Sequence, residues 1–235
     1  MRINTSKRVV AMRRWYFALA VVGAVSVSAP APAQAQQRLF DGFYVGGNIG
    51  QGVGDHDRAT IFDFKNSYDS HGMLIAAHAG VSWQSGPGLL PGFMLVVGIE
   101  ADGALTSIKG DDGGVGGTVD RSEYNHLASV RGRLGLVPIG APQLLLFGTL
   151  GRGFATIDHT NFGPPVSAFT NNVSGLTWGL GAQWAFDQKW SIRAEWRHYD
   201  FGSYSVVPPD PVFPFSVDNT LRTFTVGVSV CLTGC

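Results

Sequence analysis

Trp190-Ser191-Ile192-Arg193-Ala194-Glu195-Trp196-Arg197 decides the fold. Its alternate positions separate into two chemistries. Trp190, Ile192, Ala194 and Trp196 make one set, and Ser191, Arg193, Glu195 and Arg197 make the other. A period of two marks a strand, because successive side chains on a strand point to opposite faces. One face is apolar and rich in indole. The other carries charges of both signs. A barrel in water would bury the first face and wet the second. A barrel in a membrane does the reverse, apolar outside and polar inside.

The same split recurs along the chain. Ala128, Val130, Leu134 and Leu136 oppose Ser129, Arg131 and Arg133. Phe93, Leu95, Val97 and Ile99 oppose Glu100 and Asp102. Leu176 to Phe186 and Phe224 to Leu232 alternate in the same way with Thr, Gly, Gln and Ser. Gly within the segments and Pro between them argue against long helices. Eight strands are predicted over 42–52, 73–84, 93–107, 123–137, 143–158, 174–186, 189–202 and 221–232. The connections alternate long and short, with 53–72, 108–122, 159–173 and 203–220 long and 85–92, 138–142 and 187–188 short. That is the layout of an all-β, eight-stranded antiparallel up-and-down transmembrane barrel, with surface loops on one side and tight turns on the periplasmic side. The long connections are rich in Asp (Asp55, Asp57, Asp63, Asp69, Asp111, Asp112, Asp120) and read as solvated loops.

An eight-stranded barrel is filled by its own side chains. The inward charges Glu100, Asp102, Arg131, Arg133, Arg193, Glu195 and Arg197 must therefore pair, because an unpaired charge in a confined site is costly. Gly46, Gly98, Gly135, Gly179, Gly181 and Gly227 are expected to make room for these long side chains, and His78 to join the polar interior. Trp83, Phe93, Trp184, Phe186 and Trp190 flank the short turns, which fits an interfacial aromatic belt. Strand five reads two ways, and outward-facing Leu145, Phe147 and Thr149 are preferred because Arg152 shares the other parity.

The N-terminus carries a different signal. Residues 1–35 hold Arg2, Lys7, Arg8, Arg13 and Arg14 and no acidic residue. Trp15 to Val27 are apolar apart from Ser26, and Ala33-Gln34-Ala35 offers an A-x-A cleavage site. This is the layout of a secretory signal peptide, so the predicted division is a signal peptide over 1–35 and a barrel domain over 36–235. Without those five cations, 12 basic and 17 acidic residues remain in 200, a net charge of −5, which excludes a basic nucleic-acid binder. Glycine, 32 residues in all, shows no G-X-Y period, so collagen is excluded too.

Several stretches are similar to a known family. Phe43-Tyr44-Val45-Gly46-Gly47-Asn48-Ile49-Gly50, Ser129-Val130-Arg131-Gly132-Arg133-Leu134-Gly135, Leu144 to Thr149, Trp178 to Ala182 and Trp190 to Gly202 resemble the opacity-type surface-antigen family. These are small outer-membrane β-barrels common in alphaproteobacteria and akin to the OmpA transmembrane domain. The resemblance spans about residues 40–232. It implies a gram-negative outer-membrane protein that serves as a surface antigen or in adhesion or envelope integrity, with no common catalytic site. Such barrels usually end in an aromatic residue, where this chain has Leu232-Thr233-Gly234-Cys235.

No cofactor, metal site or catalytic residue is expected. His126 and Ser129 fall on opposite faces, and His56, His71 and His159 lack metal-ligand spacing. His198-Tyr199-Asp200 with Ser203 would lie at the outer rim, where the family has a structural motif. The expected partners are outer-membrane lipids, periplasmic chaperones with the barrel-assembly machinery, and a host or extracellular ligand met through the loops; nucleic acid is not one. A narrow, low-conductance pore is the alternative function, and a lipid-modifying outer-membrane enzyme ranks behind it. Cys231 and Cys235 would meet an oxidising periplasm. An intramolecular disulfide, which needs a turn at Thr233-Gly234, a free pair and an intermolecular bond all remain open.

Overall fold

The computed structural model describes residues 38–60, 65–111, 120–161, 167–206 and 215–234. Eight strands follow in chain order: β1 (Gly42–Thr60), β2 (Lys65–Gln84), β3 (Phe93–Asp111), β4 (Asp120–Pro138), β5 (Leu144–Asn161), β6 (Ser167–Ala185), β7 (Trp190–Val206) and β8 (Phe215–Thr233). Each pairs antiparallel with the next, and β1 closes on β8, giving a barrel without a free edge.

The strands are longer than the sequence pattern indicated, from 17 residues in β7 to 20 in β2. Asp55, Asp57, Asp69 and Asp111 stand in strands and not in loops, and Asp120 opens β4. Asp63 and Asp112 lie outside the described residues. The reason is physical. Asp69 and Asp111, at the outer ends of their strands, are exposed, and in sequence a wetted strand end looks like a loop.

Three short connections lie on the side of the chain ends. The first, 85–92, turns on Gly88 and Gly92, whose φ values of 104° and 82° suit glycine. It is tied to the second by the Ile139 amide, which donates to the Gly92 carbonyl at 3.0 Å. In the third, the Asp187 carboxylate accepts from the amides of Lys189 (2.6 Å) and Trp190 (2.8 Å). These bonds, Trp190's first and Lys189's second, hold the Asp187 pKa below the ordinary aspartate value.

Strand five corrects the sequence reading. Leu145 (0% exposed), Phe147 (4%) and Thr149 (5%) point inward, while Leu146, Leu150 and Phe154 face out. Arg152 is outside with them, its guanidinium donating to the Ser174 hydroxyl at 2.9 Å. An arginine in mid-strand whose long stem reaches a polar group does not fix the parity.

Candidate functional site: a sealed interior

The interior is built in three layers. In the middle layer, Arg131 joins three carboxylates: Glu100 at 2.6 Å, Asp102 at 2.7 Å, and Glu195. Arg193 donates both terminal nitrogens to Glu100 (2.7 and 3.1 Å) and one to Glu195 (2.9 Å). Arg197 bridges Asp102 (3.1 Å) and Glu195 (2.9 Å). These residues stand on neighbouring inward positions of β3, β4 and β7, so barrel closure alone brings them together.

Neutral groups complete the layer. Tyr44 donates to Glu100 at 2.9 Å, Ser129 to Asp102 at 2.6 Å and Thr149 to Glu195 at 3.1 Å. Arg197 also donates to the Tyr199 hydroxyl at 2.6 Å. Four guanidiniums face three carboxylates, and Arg133 is the weakly paired one, 3.9 Å from Glu100. It donates instead to Tyr44 (3.2 Å) and Gln183, and lies 3.9 Å over the Phe147 ring. The ring's quadrupole attracts that cation. His78 sits apart, against Asn48 (3.0 Å) and Ser229 (2.9 Å).

The six inward glycines do not all serve the charges. A Cβ on Gly179 would lie 3.1 Å from Glu195, but on Gly46 it would meet His78 at 2.4 Å, on Gly227 Asn48 at 1.9 Å and on Gly181 Phe147 at 2.4 Å. Gly98 is crowded by Val81 and Ser82, and Gly135 by Leu145. Most of the room goes to uncharged neighbours.

An apolar layer lies on each side of the charges. Toward the short turns, Phe40, Met94, Val96, Val137, Leu145, Phe147 and Ala185 pack together. Phe40 precedes β1 and is pinned across the mouth: its amide donates to Gln84 at 3.0 Å, and its carbonyl accepts from Ser82 at 2.7 Å. Toward the outer end, Ile108, Tyr124, Leu127, Ile157, Tyr199, Phe201 and Leu221 form a second cluster with Leu74, Ala104 and Ala155. Two enclosed cavities are small, about 20 Å³ beside Tyr44, Arg133 and Gln183 and about 10 Å³ beside Asn48, Arg197 and Tyr199, while a shallow open groove of about 510 Å³ runs over Val45, Ala77, Ala79, Ala101 and Gly103 and reaches His78 and Asp102. The enclosed volumes each hold about one water. The sequence reading missed both apolar layers, although Met94 and Val96 share the parity of Glu100 and signalled the inner one.

Outside, Trp83, Phe93, Trp184, Phe186 and Trp190 are all exposed near the short turns. From Trp83 to Met73 on β2 the outward row is apolar over 11 residues, about 25 Å of height for a strand rising ~3.3 Å per residue and tilted ~40°. That matches the apolar band of a membrane barrel. Beyond the band the outer wall turns polar, with ion pairs Lys109–Glu123 (2.6 Å) and Arg222–Asp55. His198 packs outside against Trp178 and Trp196, with ring centroids 5.7 and 6.3 Å away, while Tyr199 points inward. His126 is exposed and Ser129 buried. Cys231 stands beside the inner mouth and Gly234 turns the chain with φ 90°. Cys235 lies outside the described residues, and so does its pairing.

A closed antiparallel barrel with an apolar belt and a charged, plugged interior is an outer-membrane β-barrel. The family described as outer membrane protein beta-barrel domain matches residues 17–230, and the chain belongs to that family. It is 27% identical over 219 residues to the 31 kDa outer-membrane immunogenic protein of Brucella melitensis, covering 86% of this chain and 88% of the relative. The protein of the same name from Brucella suis matches equally. Among solved structures, Neisserial surface protein A covers 82% of this chain and 98% of its own, with 13% identity and a TM-score of 0.42. OprG of Pseudomonas aeruginosa covers 83% and 97%, with 12% identity and a TM-score of 0.45. The resemblance to outer-membrane surface-antigen barrels therefore holds, and the protein resides in the gram-negative outer membrane.

Proposed function

We propose that this barrel is a structural support that displays four surface connections, as a surface antigen and in adhesion or envelope integrity, and that it has no enzymatic activity. The observation that carries this reading is the filled interior. Its three carboxylates are all paired with guanidiniums inside the barrel, apolar layers lie on both sides, and the two enclosed cavities are about water-sized. A site that binds and transforms a substrate needs concave space. The name of the Brucella relatives, an immunogenic outer-membrane protein, supports display to the exterior. The packing of His198 on Trp196 and against Trp178, two indoles that also touch each other, supports a structural role for this motif.

In this reading residues 1–35 are a leader removed on export, periplasmic chaperones and the assembly machinery deliver the barrel, outer-membrane lipids surround it, and the surface connections meet a host or extracellular ligand. N-terminal sequencing of protein from outer membranes should begin at Gln36. Deleting the gene should raise detergent sensitivity or lower attachment to host cells, with recovery on complementation; a deletion strain unchanged in both would contradict the proposal. Large, steady conductance in planar bilayers would favour a pore instead.

A further inference from the structure

Arg152 occupies an unusual position. On its own strand its outward neighbours are Leu150 and Phe154, 60% and 44% exposed. Across the sheet it is level with Val130 on β4 and Leu176 on β6, 53% and 55% exposed. The guanidinium is thus framed on four sides by side chains that face lipid. An arginine on the lipid face is costly near the bilayer centre and tolerated near the headgroups. Its height fits the second case. Arg152 lies eight residues beyond Leu144, which pairs with the belt residue Trp184. At ~3.3 Å per residue and a tilt of ~40°, that is about 20 Å above the inner belt, close to the outer edge of a ~25 Å apolar band.

Just beyond this edge the outward cations Lys109 and Arg222 are neutralised, by Glu123 at 2.6 Å and by Asp55. Arg121 stands further out, on the water-facing end of β4. Arg152 has the Ser174 hydroxyl at 2.9 Å and, among the described residues, no carboxylate partner. Its remaining donors face the boundary between acyl chains and headgroups. Leu150, Leu176 and Trp178 form an apolar surface on its membrane side.

We propose that Arg152, with the Ser174 hydroxyl beside it, binds the phosphate of an outer-leaflet lipid whose acyl chain lies along Leu150, Leu176 and Trp178. A phosphate supplies the anion that the protein omits, and guanidinium donors match phosphate oxygens in geometry. The inference rests on outer-membrane placement and not on the proposed display role. A barrel with no antigenic or adhesive function would give the same result.

The test is native mass spectrometry of the refolded barrel in detergent with diphosphoryl lipid A as the probe. Folding of each variant is verified by heat-modifiable gel mobility. Arg152→Gln should lower lipid A retention about tenfold, the scale of one lost charge-assisted hydrogen bond. Arg152→Lys should keep part of the retention, and Arg121→Gln should match the unmodified protein. Dephosphorylated lipid A should bind the unmodified protein no better than lipid A binds Arg152→Gln. Equal retention by the unmodified protein and Arg152→Gln, or by the two lipid forms, overturns the proposal. Displacement of lipid A by millimolar inorganic phosphate would assign the site to a free anion and overturn the lipid assignment.

Discussion

The barrel wall reverses its polarity along its own length. In the membrane portion, β4 points Val130, Leu134 and Leu136 outward and buries Arg131 and Arg133. Ten residues back along the same strand, Arg121 and Glu123 face out while Ser122 and Tyr124 are buried. β3 does likewise, with Ile99 outside and Glu100 inside in one portion, then Lys109 outside and Ile108 inside in the other. The difference teaches that a strand has no preferred greasy face of its own. Lipid accepts the apolar side chains where the bilayer surrounds the wall. Where water surrounds it, the same wall folds by burying apolar groups, as a soluble barrel does. A β-bulge marks the transition on β4: the pairing slips between Tyr124 and His126, so that buried positions step from Tyr124 to Leu127.

The comparison can be broken in several places, each by urea unfolding in lipid vesicles. Glu195→Gln should have the largest effect, about 3–5 kcal/mol, because it leaves four buried guanidiniums with two carboxylates. In the outer portion Ile108→Ala should cost about 2–5 kcal/mol by emptying a packed apolar site. Leu180→Arg, at a position 61% exposed to lipid, should cost about 2–4 kcal/mol. Glu123→Gln removes an exposed ion pair on the outer wall and should cost under about 1 kcal/mol. If Leu180→Arg and Glu123→Gln cost the same, the two outer surfaces meet the same medium and the comparison fails.

The smallest effect is in the third turn. The depressed Asp187 pKa contributes stability that is present above the unfolded aspartate value and lost as pH falls through the folded one. Asp187→Asn should therefore weaken the protein slightly at pH 7 and flatten the loss of stability below about pH 4, the ordinary aspartate range. An unchanged acid limb in the variant would show that the turn does not carry this linkage.

How much could be read from the sequence follows the same division. In the membrane portion the two parities differ as much as side chains can, Trp and Ile against Arg and Glu, so β7 declared its orientation and its charges. The outer portion offered Ile108, Tyr124 and Leu221 singly, each among polar residues. Ile108 falls in the predicted connection 108–122, Tyr124 and Leu221 stand at the ends of predicted strands with no face assigned, and the bulge near Tyr124 breaks the alternation. β5 was misread because one arginine outweighed Leu146, Leu150 and Phe154. The partners of the charges, Tyr44, Thr149, Gln183 and Tyr199, come from several strands, and only the closed register shows that they meet.

A wall inverted between membrane and water can be read from spin-label accessibility along β3, with Cys231 and Cys235 replaced by serine. Single labels at Ile99, Leu105, Ile108 and Lys109 in lipid vesicles would be relaxed by oxygen or by a water-soluble nickel chelate. Oxygen contact is expected at Ile99 and Leu105, chelate contact at Lys109, and neither at Ile108. Chelate access at Ile108, or lipid contact at Lys109, would contradict the inversion.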